Sequence, residues 1–426
     1  MTEELAVNGG PKIINYDFVR YNPIGEVEAQ AAYDVVKSGV LSDFLGKWDP
    51  KFYGGPNVKG LECEWSGVFK VNDSIAFNSA TSALSAAIGA ADVGAGDEVI
   101  VSPYTMSASA TSILSYNGIP VFADIDEQTY NMSFDAIKSK ITKRTKAIML
   151  PSIHGNPADL ERISKLARDN NIVLIEDAAQ APLAMLNGKY VGTFGDIGVF
   201  SLNRHKHIHC GEGGMAVTNN EKMAEKLRMI RNHGEVTADM RQFDNLVNTM
   251  GFNFRMGEIE AAIARHQLKK LHELVEQRIE TVNKLTNKLK EFSDFIDLPV
   301  TLPNAKHVYY LYPMKYRSDK HTPSRDQVAD ALTAEGVLIR KGFQKPLYLF
   351  PMYQKMVGYG ETGCPFRCPL YDGQVSYEKG LCPNTEKIES EMMMAFHVGK
   401  YNLTDDDIEK IYLCFKKVFS SLDKIK

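Results

Sequence analysis

Short apolar runs alternate with helical stretches between residues 74 and 220, and this alternation limits the possible folds more than any other feature of the chain. The runs fall at 97–101, 120–123, 147–150, 172–175, 198–201 and 214–218, with helical spacing at 82–91, 108–116 and 158–169 between them. Strand, helix, strand at this spacing predicts an α/β fold with a mostly parallel sheet covered on both faces. In such sheets ligands bind beyond the carboxyl ends of the strands. The residues just after each run are therefore the first candidates for chemistry.

From Gly257 to about Phe292 the apolar positions Ile259, Ala262, Ile263, Leu268, Leu271, Leu274 and Val275 recur at helical spacing, opposite a charged face. This predicts a long connecting helix. Residues 307–312 are expected to form a strand that opens a smaller α+β domain, with helices at 321–336 and 404–420. The expected division is a large domain at 1–265, including an N-terminal arm, and a small C-terminal domain at 266–426. A chain of 426 residues accommodates both.

A formal net charge of -4 supplies no basic footprint, so nucleic acid is not an expected partner. No apolar stretch reaches the length of a membrane span. The start, Met1-Thr2-Glu3-Glu4, lacks the basic and then apolar pattern of a signal peptide, and a cytoplasmic location is expected. Cys364, Cys368 and Cys382 cluster late but lack the paired spacing and fourth ligand of a zinc knot, so they read as reduced structural thiols with no metal.

Two side chains stand where strand ends should meet. Asp177 follows the run 172–175, and Lys206 follows 198–201 within Ser201-Leu202-Asn203-Arg204-His205-Lys206, ahead of Gly211-Glu212-Gly213-Gly214. A lone lysine is ordinarily a solvated surface group, and a lone aspartate after a strand ordinarily a turn residue. Together they are the pair that pyridoxal phosphate (PLP) chemistry needs: an amine to condense with the aldehyde, and a carboxylate to keep the pyridine nitrogen protonated. Lys206 must then be desolvated, or have cations nearby such as Arg204 and His205, to be a neutral nucleophile. Gln180 lies close enough to Asp177 in sequence to pack over the cofactor. Asn78-Ser79-Ala80-Thr81-Ser82 opens a helical run, where small residues and backbone N–H groups suit either a plain cap or a phosphate.

His205, His207 and His209 offer a rival reading. On a strand an HxHxH pattern puts three imidazoles on one face, where they could hold zinc. That reading leaves Lys206 and Asp177 without a joint role, and no carboxylate or cysteine cluster lies near in sequence to complete the site. No G-x-G-x-x-G, P-loop or G-x-S-x-G motif occurs, which disfavours nicotinamide, nucleotide-hydrolysing and serine-hydrolase chemistry.

Across nearly its whole length the chain resembles the DegT/DnrJ/EryC1/StrS family of sugar aminotransferases. The resemblance is carried by Ser79 through Leu84 (the family's SGTAAL turn), Gly96 through Ile100 (GDEVI) and Pro120 through Asp124 (PVFVD). It continues in Glu176 through Gln180 (EDAAQ), Ser201 through Gly214 (the lysine motif), Arg231 through Gly234 (RNHG) and Gly251 through Met256 (GYNxRM). It implies a fold-type-I PLP enzyme working as a homodimer with shared active sites. Lys206 would bond the cofactor and then serve as base for the 1,3-prototropic shift. Asp177 would hold the ring nitrogen and Gln180 the ring or its hydroxyl. Thr81, Ser82 and Ser201 would bind the phosphate, joined by Asn253 of the other subunit. The donor would be L-glutamate, or L-glutamine in the cyclitol branch, and the acceptor a ketosugar, in aminosugar or surface-polysaccharide biosynthesis such as that of lipopolysaccharide.

The chain departs from the family pattern at several points. Met106 follows Thr105 where an aromatic residue usually stacks on the cofactor. Asn203 stands for a histidine, and His207 for the asparagine after the lysine. The HYxPLH segment reads Gly342-Phe343-Gln344-Lys345-Pro346-Leu347-Tyr348, and there is an insertion at 48–55. The acceptor therefore stays open among a nucleotide-linked ketosugar, a free keto-sugar acid of the octulosonate type and a keto-cyclitol. Sugar 3-dehydration is disfavoured, since that branch carries histidine at the position of Lys206. A non-catalytic regulatory member would have no need of Lys206 and Asp177.

Overall fold

The computed structural model describes residues 4–241 and 243–425. The strands, numbered along the chain, begin with β1 (Asp73–Phe77), β2 (Glu98–Val101), β3 (Ile119–Phe122), β4 (Thr145–Pro151) and β5 (Val173–Asp177). A short hairpin of β6 (Met185–Leu186) and β7 (Lys189–Tyr190) follows, then β8 (Ile197–Ser201) and β9 (Gly214–Thr218). The central seven-stranded sheet has the order β1-β9-β8-β5-β4-β2-β3. The pairs among β3, β2, β4, β5 and β8 are parallel, while β9 runs antiparallel to both β8 and β1. Every residue of β2 and β9 is buried, so these strands read as continuous apolar runs and not as alternation.

Each face of the sheet has its own apolar layer. On one, Val58, Leu61, Trp65 and Phe69 pack with Phe200 and with Leu268, Leu271 and Val275 of the long helix. That helix spans Glu258–Leu289, close to its expected bounds. On the other face the helix Ala80–Ala90 lies beneath Ile113, Ile230 and a late segment contributing Tyr348, Tyr353, Phe366, Tyr371 and Tyr377. This segment contains Cys364, Cys368 and Cys382, all free. Its tyrosines tie it to the large sheet: Tyr371 donates to Glu98 Oε1 at 2.9 Å and Tyr377 to the Pro120 carbonyl at 2.8 Å.

The C-terminal sheet is made of β10 (Ile296–Asp297), β12 (Tyr312–Tyr316), β13 (Ile339–Lys341) and β14 (Met393–Phe396), in the order β10-β12-β14-β13; β11 (Ala305–Lys306) pairs instead with β6. Helices Arg325–Ala334 and Asp405–Phe419 cover it. Leu5, Ile14 and Phe18 complete its apolar core, and the Ile14 amide donates to the Glu335 carbonyl at 2.9 Å. Residues 5–18 thus pack with the C-terminal unit, while Tyr21 donates to the His207 carbonyl at 2.6 Å and the helix Glu26–Ser38 lies along the long helix.

The strand expected at 307–312 begins only at Tyr312. Ahead of it Tyr309 takes a φ of +49°, and the amides of Val308 and Tyr310 donate to the carbonyls of Gly155 and His154 at 3.0 and 2.8 Å. The stretch is pinned to the large domain, and this brings Tyr310 over the end of the central sheet. No helix among the described residues is long and apolar enough to cross a membrane.

Candidate active site

A cavity of about 450 Å³ opens at the carboxyl ends of β4, β5 and β8, and Asp177, Gln180, Ser201, Lys206, Thr81 and Met106 all line it. β5 and β8 are parallel neighbours with Asp177 opposite Val199, so the segments after them leave the sheet side by side. The loop carrying Lys206 is closed on itself: Leu202 N–H donates to the Gly213 carbonyl at 2.9 Å and Arg204 N–H to that of Gly211 at 3.0 Å. Lys206 is half-buried as a residue, with its desolvated Nζ 4.6 Å from the centre of the Tyr310 ring. Desolvation lowers its pKa from 10.5 to about 8, and the nearby Asp177 carboxylate opposes that shift. The result is an amine with a substantial neutral population near physiological pH.

Asp177 is held from two sides. Its Oδ2 accepts from Ser109 Oγ at 2.7 Å and its Oδ1 from the Ala179 amide at 3.1 Å. Ser109 Oγ lies 3.1 Å from Thr105 Oγ1, so a short hydroxyl relay leads to the carboxylate. Burial raises the pKa of Asp177, while Ser109, Ala179 and Lys206 pull it down. Sequence reading missed Ser109; its signal is the four-residue spacing from Thr105, which puts both hydroxyls on one side of the helix start. Gln180 Oε1 accepts from the His154 amide at 2.7 Å, which fixes the carboxamide at the cavity wall.

Ser79 caps the helix Ala80–Ala90, its Oγ accepting from Ser82 N–H at 3.1 Å. Ser79, Ala80, Thr81 and Ser201 face the cavity. Ser82 stands behind them, its hydroxyl donating to Asn78 Oδ1 at 2.7 Å. Gly214 explains why the glycine-rich turn is needed. A Cβ there would stand 2.4 Å from Ala80 N, so only glycine lets β9 pass beneath the helix start. Hydroxyls, helix N–H groups, an amine and a buried carboxylate around one cavity fit PLP.

Met106 is 57% exposed at the cavity mouth. Asn253 lies outside the cavity of its own chain, exposed, with its Oδ1 accepting from Arg255 Nε at 2.8 Å. The histidine run separates: His205 lines the cavity, whereas His207 is buried with Nε2 2.7 Å from the Val308 carbonyl. Among the described residues no three His, Cys, Asp or Glu side chains stand together as a metal would require.

The C-terminal unit adds Tyr310, Arg340, Phe343 and Gln344 to the wall. Phe343 and Gln344 belong to the segment whose departure from the family pattern marked it for attention; Tyr310 and Arg340 were not anticipated. The Arg340 guanidinium lies 5.4 Å from the Phe343 ring centre and donates to the Phe343 carbonyl. It is exposed and has no ion-pair partner among the described residues.

An amine with a lowered pKa beside an anchored carboxylate, at the strand ends of this doubly covered sheet, defines the fold-type-I PLP-dependent aminotransferase class. Within it, the chain belongs to the DegT/DnrJ/EryC1/StrS aminotransferase family, whose sequence profile matches residues 48–367. A UDP-N-acetyl-3-dehydro-alpha-D-glucosamine 3-aminotransferase from Acidithiobacillus ferrooxidans is 34% identical, over 80% of this chain and 88% of its own. A putative L-glutamine:3-amino-2,3-dideoxy-scyllo-inosose aminotransferase from Streptoalloteichus tenebrarius is 32% identical over 100% of both chains. The solved aminotransferase from Psychrobacter cryohalolentis superposes with a TM-score of 0.80 at 27% identity, covering 96% of this chain and 100% of that one.

Proposed function

We propose that the protein binds PLP and transfers the amino group of L-glutamate to a ketosugar. The observation that carries this reading is the pairing of Lys206, its pKa lowered to about 8, with the anchored Asp177 across one cavity. PLP supplies an electron sink that stabilises the carbanion left when a proton leaves the carbon bearing the amino group. The chain's own residues do the rest. Asp177 would hold the ring nitrogen, kept in place by Ser109 and the Ala179 amide. Thr81, Ser201 and the start of helix Ala80–Ala90 would take the phosphate, with Ser82 completing the turn. Gln180 and Met106 would flank the ring. Lys206 Nζ would take the proton from the donor carbon and return it to the carbon on the other side of the transferred nitrogen, a 1,3-shift that requires the neutral amine that desolvation favours.

Arg340 has no ion-pair partner among the described residues, and it would receive a carboxylate of the donor through a two-pronged contact. We place the chemistry on the 1–265 unit, with the 266–426 unit and the N-terminal arm closing over it. The exposed position of Asn253, beside exposed Leu246, Val247 and Met250, supports a homodimer in which Asn253 reaches the partner's phosphate site. A cytoplasmic role in aminosugar biosynthesis for a surface polysaccharide suits such an enzyme.

For the acceptor, the nucleotide-sugar relative supports a nucleotide-linked ketosugar. The end-to-end match to a scyllo-inosose aminotransferase supports a keto-cyclitol, and with it glutamine as donor. A free keto-sugar acid is the third class. Single turnover separates them. The PLP-loaded protein is converted to its aminated form with glutamate or glutamine and offered each acceptor class while the cofactor spectrum is followed. Recovery of the starting spectrum with a ketosugar supports the proposal. Failure of both donors to convert the cofactor refutes it.

A further inference from the structure

A second cavity, of about 430 Å³, lies between the middle of the long helix, the N-terminal residues Tyr21 and Asn22, and residues 398–404. It shares no lining residue with the catalytic cavity. Its floor is Arg278, only 7% exposed. A buried guanidinium ordinarily has a carboxylate beside it. Arg231, fully buried, has Glu62 at 2.5 Å, and Arg325, buried to about the same degree as Arg278, has Asp326 at 2.5 Å.

Arg278 has no such partner among the described residues, and its Nη1 is buried without a hydrogen bond. The titratable groups around it are the phenols of Tyr21 and Tyr310 and the imidazoles of His207 and His397, none of them an anion. Tyr21 is its neutral neighbour: the ring centre lies 5.2 Å from the guanidinium carbon, and the phenol oxygen hydrogen-bonds with the guanidinium while its hydroxyl donates to the His207 carbonyl at 2.6 Å. Gly399 makes room for the group, since a Cβ there would stand 2.9 Å from Nη1.

The rest of the lining contains no acidic side chain. Gln277, Asn22 and Asn402 contribute carboxamides, and that of Asn402 makes no hydrogen bond among the described residues. A guanidinium without a counter-ion, lining a hydrogen-bonding cavity, calls for one oxyanion on a body rich in hydroxyls. We infer that this cavity is a second binding site, for a small polyhydroxylated anion (a sugar carrying one phosphate or one carboxylate), with Arg278 taking the oxyanion.

The test is calorimetric titration of the PLP-loaded, full-length protein with glucose 6-phosphate, gluconate, glucose and inorganic phosphate. At least one charged sugar should bind about 10-fold or more tighter than glucose and inorganic phosphate, since the site offers both the charge contact and the hydroxyl contacts. The tighter of the two charged sugars identifies phosphate or carboxylate as the anion.

Arg278→Gln should lose about 10- to 100-fold in affinity, and Asn402→Ala about 5-fold. Arg340→Gln, which removes a cation from the catalytic cavity, should leave binding unchanged. If Arg278→Gln does not fold, Asn402→Ala and the wild-type comparison decide. Equal binding of glucose and the charged sugars, or no binding by about 10 mM, overturns the inference. So does a loss caused by Arg340→Gln alone, which would put the ligand in the catalytic cavity.

Discussion

The lowered pKa of Lys206 can be tested without substrate or cofactor. Its value of about 8, against 10.5 for an unperturbed lysine, arises from desolvation at the strand ends beneath Tyr310. At pH 7 about 9% of the amine is then neutral, against roughly 0.03% for an ordinary lysine, a ~300-fold gain in nucleophile. Competitive acylation of the cofactor-free protein from pH 6 to 11, with peptide mapping by mass spectrometry, reads the midpoint of every lysine in one sample. Lys206 should titrate near 8. Asp177→Asn should move the midpoint of Lys206 further down, because the carboxylate is what holds it up. The sign for stability follows. Below about 8 the buried ammonium counts against the fold, and stability recovers as pH rises from about 8 toward 10.5, where only the unfolded chain still holds the proton. A Lys206 midpoint near 10.5 would refute the desolvation argument. An upward shift in Asp177→Asn would refute the assigned electrostatics.

Three further outcomes follow from the geometry. Ser109→Ala removes the 2.7 Å donor to Asp177 Oδ2; turnover should fall about 10-fold and the acid limb of its pH profile should move up, while PLP content holds. A profile identical to wild type would leave Ser109 without a part. Gly214→Ala drives a methyl group to 2.4 Å from Ala80 N and should weaken PLP binding about 10-fold or more, read by equilibrium dialysis; unaltered affinity would mean that the helix start can yield. Arg340→Gln should raise the KM for the amino donor about 10- to 100-fold with PLP loading unaffected, and an unchanged KM would remove Arg340 from donor recognition.

Much of this architecture is legible in the residues because parallel strands buried on both faces leave unbroken apolar runs, as in β2, β4 and β5. The proposed catalytic pair is legible for a related reason: Asp177 ends one such run, and Lys206 lies in the loop that leaves another. Strand direction leaves no such mark, and nothing in Gly214–Thr218 announces that β9 runs antiparallel to its neighbours. Periodicity also misplaced the strand at 307–312. Its aromatic residues suit a strand, but the amides of Val308 and Tyr310 are taken by Gly155 and His154 across the chain. Long-range packing hid the rest. Ser109 meets Asp177 from a different helix, and Arg340 reaches the cavity from a strand of the other unit. Leu5, Ile14 and Phe18 of the arm find their core among residues far away in sequence, such as Val282, Tyr312 and Phe396.

The central claim is that Lys206 is the residue to which the cofactor bonds. The most direct measurement is borohydride reduction of the PLP-loaded protein, followed by digestion and mass mapping of the modified peptide. The account predicts one pyridoxyl modification, on Lys206, and its absence in Lys206→Ala. Modification of another lysine in the wild-type protein, with Lys206 untouched, would contradict it.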